Sequence, residues 1–323
     1  MKIAILGAGG LGKAAAHIIS QKQDLQLVAV ADAGGFVFNR DGIDADALQN
    51  VKVGGSVSQM KNGQRSNDSI GEIIELKAEY DGVFIALPNL PNDFIPCVVQ
   101  RFVEGGFQGA LVDALKRTQA MEMIFGLDAL LQDAKCTYLS GCGATPGLLT
   151  AAAAIAAQSF VKVEKVHIWW GVGIARWDDY KATIREDIAH LPGYDVDTAK
   201  MLSDAEVEAI LGATDGKLTL YNMEHADDVM LERAGVCERN QVTVGGVMDT
   251  RNAKKPVSTT MTLTGITFEG KRSSHQFILG DQTSMAANVC GTALGYLNRA
   301  HWLRGRGVYG VFGSAEMMPL TVK

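Results

Sequence analysis

The sequence predicts an α/β protein: a doubly wound parallel sheet joined to a second, α+β domain built on a largely antiparallel sheet. In the first half, short apolar runs alternate with helix-favouring stretches, an order that calls for a parallel sheet with helices on both faces. Past residue 147 the pattern changes, and alternating polar and apolar residues flank Glu269-Gly270, an antiparallel hairpin signal. At 323 residues the chain also exceeds the size at which one hydrophobic core stops growing. Two domains are therefore expected, 1–147 and 148–282, with a closing helix and tail over 283–323.

The first thirty-five residues read as strand, glycine turn, helix, strand and acid. Met1 to Leu6 is a short apolar strand, and Gly7-Ala8-Gly9-Gly10-Leu11-Gly12 follows at once. Gly7, Gly9 and Gly12 have the spacing of a dinucleotide fingerprint: one glycine for the tight turn, one for backbone approach to a pyrophosphate, one for close packing of helix on strand. Lys13 to Ser20 continues as helix, whose N-terminus favours negative charge. Leu25 to Ala31 forms a second buried strand ending at Asp32, twenty residues after Gly12, where an acid can accept from a ribose 2′-hydroxyl. The expected cofactor contacts in this region are Gly7, Gly9, Gly10, Leu11, Gly12, Asp32 and Ala33. Asp32 favours NAD, because an acid there repels a 2′-phosphate; Arg40, eight residues on, could weaken that preference, so NADP stays possible.

From Ala33 to about Gly71 the chain is rich in Gly, Asn, Ser and Gln, which predicts surface loops holding a short helix near Ala45-Asn50. Glu72-Leu76 reads as a helical turn and Gly82 to Leu87 as a buried parallel strand ending in Pro88-Asn89. Leu87 and Pro88 become cofactor candidates, since ligands of such sheets bind beyond the carboxyl ends of the strands. A helix is expected from Pro91-Asn92 to about Glu104, a strand Ala110-Leu111-Val112 ending at Asp113, a helix from Thr118 to Asp133, and a strand Cys136 to Leu139. Ser140 to Gly147 is the expected domain joint, a small-residue loop launching a helix with Thr145 as N-cap and Pro146 at its first position. Beyond it come a long strand from Lys162 to Gly171, a helix from Ser203 to Leu211 with Ser203 and Glu206 as a capping box, the hairpin Pro256–Phe268 with Lys271–Leu279, and a small-residue helix from Thr283 to Leu303.

Composition excludes several classes. With 30 Lys+Arg against 36 Asp+Glu there is no basic field for nucleic acid. The helix around Leu148 to Ala157 is too short and alanine-rich to span a bilayer, and the chain opens directly in a strand, which leaves no room for a signal peptide. Five cysteines without framework spacing or a CxxC pair suit reduced thiols in the cytoplasm. The six histidines form no HExxH or similar cluster, so no protein-held metal is expected.

Several pieces resemble the saccharopine dehydrogenase (saccharopine reductase-like) family. They are the N-terminal fingerprint, the turn Gly141-Cys142-Gly143-Ala144-Thr145-Pro146-Gly147-Leu148, the segment Gly280 to Ala286 before a small-residue helix, and Gly307-Val308 with Glu316-Met317-Met318-Pro319. The resemblance implies a Rossmann domain, an inserted α+β domain for substrate and dimer contacts, and return of the C-terminus to the first domain. It also implies nicotinamide chemistry at a carbon–nitrogen bond. The N-terminal half is similar to homoserine dehydrogenase as well, at Val30 to Gly35 and Leu111-Val112-Asp113-Ala114-Leu115-Lys116. That similarity implies a proton-transfer lysine at Lys116.

Hydride transfer belongs to the cofactor, so the protein must hold the nicotinamide against a carbonyl or imine carbon and supply a proton. Lys116, at a strand end on the ligand side, suits this task if desolvation lowers its pKa; otherwise it is a solvated lysine opening a helix. Asp113 orients that lysine or touches the ribose, or else it caps the next helix. Cys142, just before a helix, is either an activated nucleophile or an inert thiol packed in a glycine-rich loop. Gly143 and Pro146 are expected to close over the nicotinamide through their backbone. On the substrate side, Arg176, Tyr180 and Arg185 form the densest stretch able to hold a carboxylate, unless this is a solvated helix face. These expectations describe an NAD(P)-dependent oxidoreductase acting on a small amino or oxo acid as a homodimer. The alternatives are a homoserine-type alcohol or semialdehyde dehydrogenase and a dinucleotide sensor without turnover.

Overall fold

The computed structural model describes residues 1–323 apart from Val53, Leu90 and Arg176, and the side chains of Asp178, Asp179 and Ala182. The chain divides into two compact units, Met1–Ala151 with Met285–Lys323, and Ala152–Ser284. The first runs β1 (Lys2–Leu6), α1 (Gly10–Ser20), β2 (Gln26–Asp32), β3 (Gly35–Phe38), α2 (Ala45–Gln49), β4 (Gly63–Arg65), α3 (Ser69–Glu75), β5 (Gly82–Ile85), α4 (Phe94–Glu104), β6 (Ala110–Asp113), α5 (Thr118–Phe125), α6 (Asp128–Asp133), β7 (Thr137–Ser140) and the opening of α7 (Leu148–Ala156). The second contains β8 (Phe160–Gly173), α8 (Lys181–Ile188), α9 (Val196–Met201), α10 (Asp204–Ala213), β9 (Lys217–Leu220), α11 (Asp227–Arg233), β10 (Val242–Asp249), β11 (Thr260–Thr267) and β12 (Arg272–Ile278). The chain then supplies α12 (Met285–Arg304) and β13 (Gly310–Gly313) to the first unit.

Among the described residues the first unit builds an eight-stranded sheet in the order β13-β7-β6-β5-β1-β2-β3-β4. The strands from β13 to β2 are parallel, and β3 and β4 continue the sheet antiparallel. Parallel strands sheathed on both faces read as unbroken apolar runs, and Ile3 to Leu6, Val83 to Ile85 and Ala110 to Val112 are essentially closed to solvent. Strand order reverses at β1, which lies between β2 and β5. That is the switch point beyond whose carboxyl ends an open sheet leaves a crevice. Alpha-helix α12 packs on α1, β5, β6 and β7. Its Cys290, Ala293, Leu294 and Leu297 join the same core as Ile3, Phe84 and Val112.

The second unit's five strands run β12-β11-β8-β10-β9, antiparallel except for β8 with β10. In β11 every second residue is buried, Met261, Leu263 and Gly265, so one face of the sheet carries the core. Helix α10 starts with the capping box that the sequence predicts, Ser203 Oγ accepting from the Glu206 amide and Glu206 accepting from the Ser203 amide.

Four local expectations change. The segment from Ala33 to Gly71 is not loop and helix alone, because β3 and β4 pair there; their partners lie in β2 and in each other, beyond the reach of local pattern. Helix α4 begins at Phe94 rather than Pro91. The expected helix from Thr118 to Asp133 is two, broken at Gly126-Leu127. Thr145 is not an N-cap: Thr145-Pro146 is a cis peptide inside a turn, α7 begins at Leu148, and Leu148 and Leu149 donate back to the carbonyls of Gly143 and Ala144.

Candidate dinucleotide site and catalytic strand ends

The three fingerprint glycines face three different surroundings. Gly7 has φ +102°, and a Cβ there would lie 2.3 Å from the carbonyl oxygen of Ala86, in the chain leaving β5. A Cβ on Gly12 would lie 1.8 Å from the carbonyl oxygen of Gly7, so helix and turn touch through backbone alone. Around Gly9 nothing lies within 4 Å of the corresponding position. Two glycines are thus demanded by packing, while the exposed Gly9 leaves room that the protein itself does not fill. No side chain caps α1 at Gly9, which leaves the first amides of an eleven-residue helix open beside Gly9, Gly10 and Leu11. Such a cradle fits a pyrophosphate.

At the end of β2, Asp32 is half-buried, and Ala33 beyond it is exposed. Its carboxylate already has partners. Oδ1 accepts from the Gly34 amide at 2.8 Å and from Ser56 Oγ at 2.7 Å, and Oδ2 accepts from the Val57 amide at 2.7 Å. Ser56 and Val57 had no signal of their own in the sequence, since they come from the polar stretch read as loop. The acid therefore organises the neighbouring loop and keeps only part of its capacity for a ribose hydroxyl. Arg40 pairs with Glu79.

Beyond β5, Leu87 is half-buried and Pro88 exposed. At β6 the structure corrects an expectation: the Asp113 carboxylate is fully enclosed, which closes it to a ribose, and among the described residues its partners do not include the start of α5. Oδ1 accepts from the amides of Leu115 (3.0 Å) and Gly141 (2.7 Å), and Oδ2 from Ser140 Oγ (2.7 Å) and the Tyr138 hydroxyl. Burial raises the carboxyl above the usual range, and these four bonds oppose the shift. Tyr138 was not singled out by the sequence. It reaches Asp113 only because β6 and β7 pair with Leu111 opposite Tyr138.

Lys116 is half-buried and follows the closed side chain of Leu115, in the short connection between β6 and α5. Gly143 is buried beside this connection: a Cβ on it would lie 3.4 Å from Cβ of Ala114 and 3.5 Å from Val289 of α12. Pro146 is buried in the same turn, and Gly147 at φ +132° has no space for a side chain. Cys142 is a second correction. The thiol is fully buried and sits 3.5 Å from the Ser140 carbonyl, and burial together with the Asp113 charge pushes its pKa well above that of an ordinary thiol. A nucleophile needs the thiolate and access; burial here closes the access and disfavours the thiolate.

In the second unit, Arg176 lies outside the described residues, and Tyr180 is half-buried before α8. Arg185 is engaged by its own chain: it donates to the Leu202 carbonyl through Nε (3.0 Å) and one terminal nitrogen (2.9 Å), and the latter also meets Asp204 at 2.7 Å. Its guanidinium closes the joint between α8 and α10 rather than waiting for a carboxylate. Among the described residues no group of three or more His, Cys, Asp or Glu is placed to hold a metal ion, and no helix is long and apolar enough to cross a membrane.

Residues 1–103 match the model of the Glutamate/Leucine/Phenylalanine/Valine dehydrogenase family. Over 99% of its length the chain is 44% identical to the (S)-8-amino-7-oxononanoate synthase BioU of Haloferax mediterranei, of which it covers 99%. The chain belongs to the BioU family. Among solved structures it resembles an engineered D-amino acid dehydrogenase bound to NADP+, with a TM-score of 0.58 at 17% identity, covering 98% of this chain and 93% of that one. It also resembles the saccharopine dehydrogenase (L-Glu forming) of Saccharomyces cerevisiae, with a TM-score of 0.57 at 11% identity, covering 97% and 94%. At such identities the likeness shows the shared Rossmann-type fold alone. The resemblance to saccharopine dehydrogenase thus holds for the architecture, while the family is BioU's.

Proposed function

We propose that this chain is a nicotinamide-dependent enzyme acting at a carbon–nitrogen bond, with 8-amino-7-oxononanoate on one side of its reaction. The observation that carries this is the 44% identity, over 99% of both chains, to a relative named for that compound. The compound suits such chemistry: it places a ketone beside an amine, and the ketone carbon, as an imine, is what a hydride would reduce. NAD or NADP is supported by the open cradle at Gly9 and by the fold shared with a dehydrogenase bound to NADP+. The bound dinucleotide would supply or accept the hydride.

The chain's own residues supply the rest. Gly7, Gly9 and Gly12 with the start of α1 hold the pyrophosphate, Asp32 and the Ser56–Val57 segment border the ribose, and Leu87, Pro88, Gly143 and Pro146 lie along the strand ends toward the reacting carbon. Lys116 moves a proton at the nitrogen or oxygen of that carbon. The acid end of the substrate calls for a cation and a hydroxyl donor, for which Arg176 and Tyr180 remain the candidates. A cytoplasmic homodimer is the assembly that goes with this function; light scattering tests its size.

The test is absorbance of the nicotinamide with 8-amino-7-oxononanoate and an amine source, at protein concentrations comparable to the substrate so that a single turnover registers. Consumption of NADH or NADPH is expected. Binding of dinucleotide with no consumption would favour a sensor, and no binding of either dinucleotide would overturn the proposal.

A further inference from the structure

We infer that Asp113, Tyr138 and Ser140 form a positioning unit that fixes Lys116, and that Asp113 itself touches no reacting atom. The inference rests on the proton-transfer role given to Lys116 above. One carboxylate oxygen holds the Leu115 amide, the peptide next to Lys116, and the Gly141 amide, at the head of the Gly143–Gly147 turn. The Asp113 carbonyl accepts from the Cys142 amide at 3.0 Å, so the two loops are bonded to one residue at three backbone points. A Cβ placed on Gly143 would lie 3.4 Å from Cβ of Ala114, so the loops run close together there. The connection that carries Lys116 is thereby tied to Asp113 at Leu115 and runs into α5 at Thr118.

Packing alone does not call for a carboxylate here. Asp113 is wholly enclosed and, among the described residues, bonded to no cation; its partners are two amides and two hydroxyls. Burying an acid against neutral donors is costly unless the donors converge on it, and all four do. Tyr138 and Ser140 approach the second oxygen from β7 and orient the carboxylate, so that the first oxygen faces the two amides. A catalytic amine must be held to within about half an ångström of its productive place, and a closed network of this kind can do so.

The experiment compares Tyr138→Phe, Ser140→Ala, Asp113→Ala and Asp113→Asn with the intact full-length protein, measuring kcat, KM, dinucleotide Kd and Tm. Loss of either hydroxyl should lower kcat by about tenfold, the scale of misplaced proton transfer, with dinucleotide Kd unchanged. Asp113→Asn keeps an acceptor for the two amides, and its amide can donate to hydroxyls that turn to accept. It should therefore recover much of the activity that Asp113→Ala loses. A wild-type kcat in both hydroxyl variants, with only Tm lowered, would show the unit to be purely structural and overturn the inference. A dinucleotide Kd that weakens in step with kcat would overturn it too, by placing the effect on the cofactor cradle. Should the wild-type protein turn nothing over, the proposed function falls and takes this inference with it; a working wild type with equally working variants sinks the inference alone.

Discussion

Ser56 Oγ donates to the Asp32 carboxylate at 2.7 Å, across twenty-four positions of sequence. With Gly34 and Val57 it supplies three donors to the acid proposed to border the ribose. A bare carboxylate there rejects a 2′-phosphate by charge. Three hydrogen bonds leave the charge in place but screen it and occupy lone pairs that a ribose hydroxyl would use, so NADPH should bind within about tenfold of NADH. Ser56→Ala should widen the gap in favour of NADH. Calorimetry with both dinucleotides decides: a preference of about a hundredfold or more in the wild type would mean that the bonds leave the repulsion intact.

The glycines separate ligand from packing. Gly9→Ala adds a methyl where the protein has nothing within 4 Å, whereas Gly12→Ala drives one into the Gly7 carbonyl at 1.8 Å. The first variant should keep its Tm within a few degrees and lose dinucleotide affinity by about tenfold or more, roughly 1.4 kcal/mol. The second should lose stability as well as affinity. Full affinity in Gly9→Ala would remove the backbone approach on which the cofactor assignment depends.

What was legible in the sequence was local. The fingerprint, the Ser203–Glu206 capping box and the Glu269-Gly270 hairpin are each written within a few residues, and the structure contains all three. What was not legible depends on register between distant strands. Gly63-Gln64-Arg65 is polar and has no period, and becomes β4 only beside β3. Asp113 meets Tyr138 because β6 and β7 align, a pairing that neither strand announces. Arg185 looked like a substrate cation because its stretch is basic and aromatic, yet the Leu202 carbonyl and Asp204, seventeen and nineteen positions away, take up its guanidinium.

That last contact has a measurable consequence. The Arg185 side chain is 15% exposed and its bonds are charge-assisted, so Arg185→Ala should cost about 1–3 kcal/mol in urea unfolding. If Arg185 takes no part in substrate binding, KM for the substrate should stay within about twofold. A large rise in KM at unchanged stability would restore Arg185 to the substrate.

Thiol chemistry should report burial rather than catalysis. Cys97 is exposed, Cys136, Cys142 and Cys290 are buried, and Cys237 is intermediate. Burial pushes Cys237 up to about 11 and Cys290 to about 12, so at pH 8 the thiolate of Cys237 is only about a thousandth of the total. A raised thiol pKa keeps the neutral form until pH climbs toward it, so alkylation of Cys237 should accelerate steadily above pH 8. At pH 8 iodoacetamide should label Cys97 first and leave activity intact. Rapid labelling of Cys142, with protection by substrate, would reinstate it as a nucleophile.

Lys116 carries the sharpest prediction. It stands half-buried one residue beyond Leu115, whose amide is tied to Asp113. Lys116→Ala should lower turnover by at least about tenfold while leaving dinucleotide affinity unchanged, because the proposed pyrophosphate cradle lies at the turn between β1 and α1. Lys116→Arg separates charge from proton transfer. Arginine preserves the positive charge but does not release a proton near neutral pH. If Lys116 moves a proton, the arginine variant should be as impaired as the alanine variant. If it acts only as a fixed cation toward the substrate, arginine should restore most of the rate, and proton transfer would have to be assigned to another group.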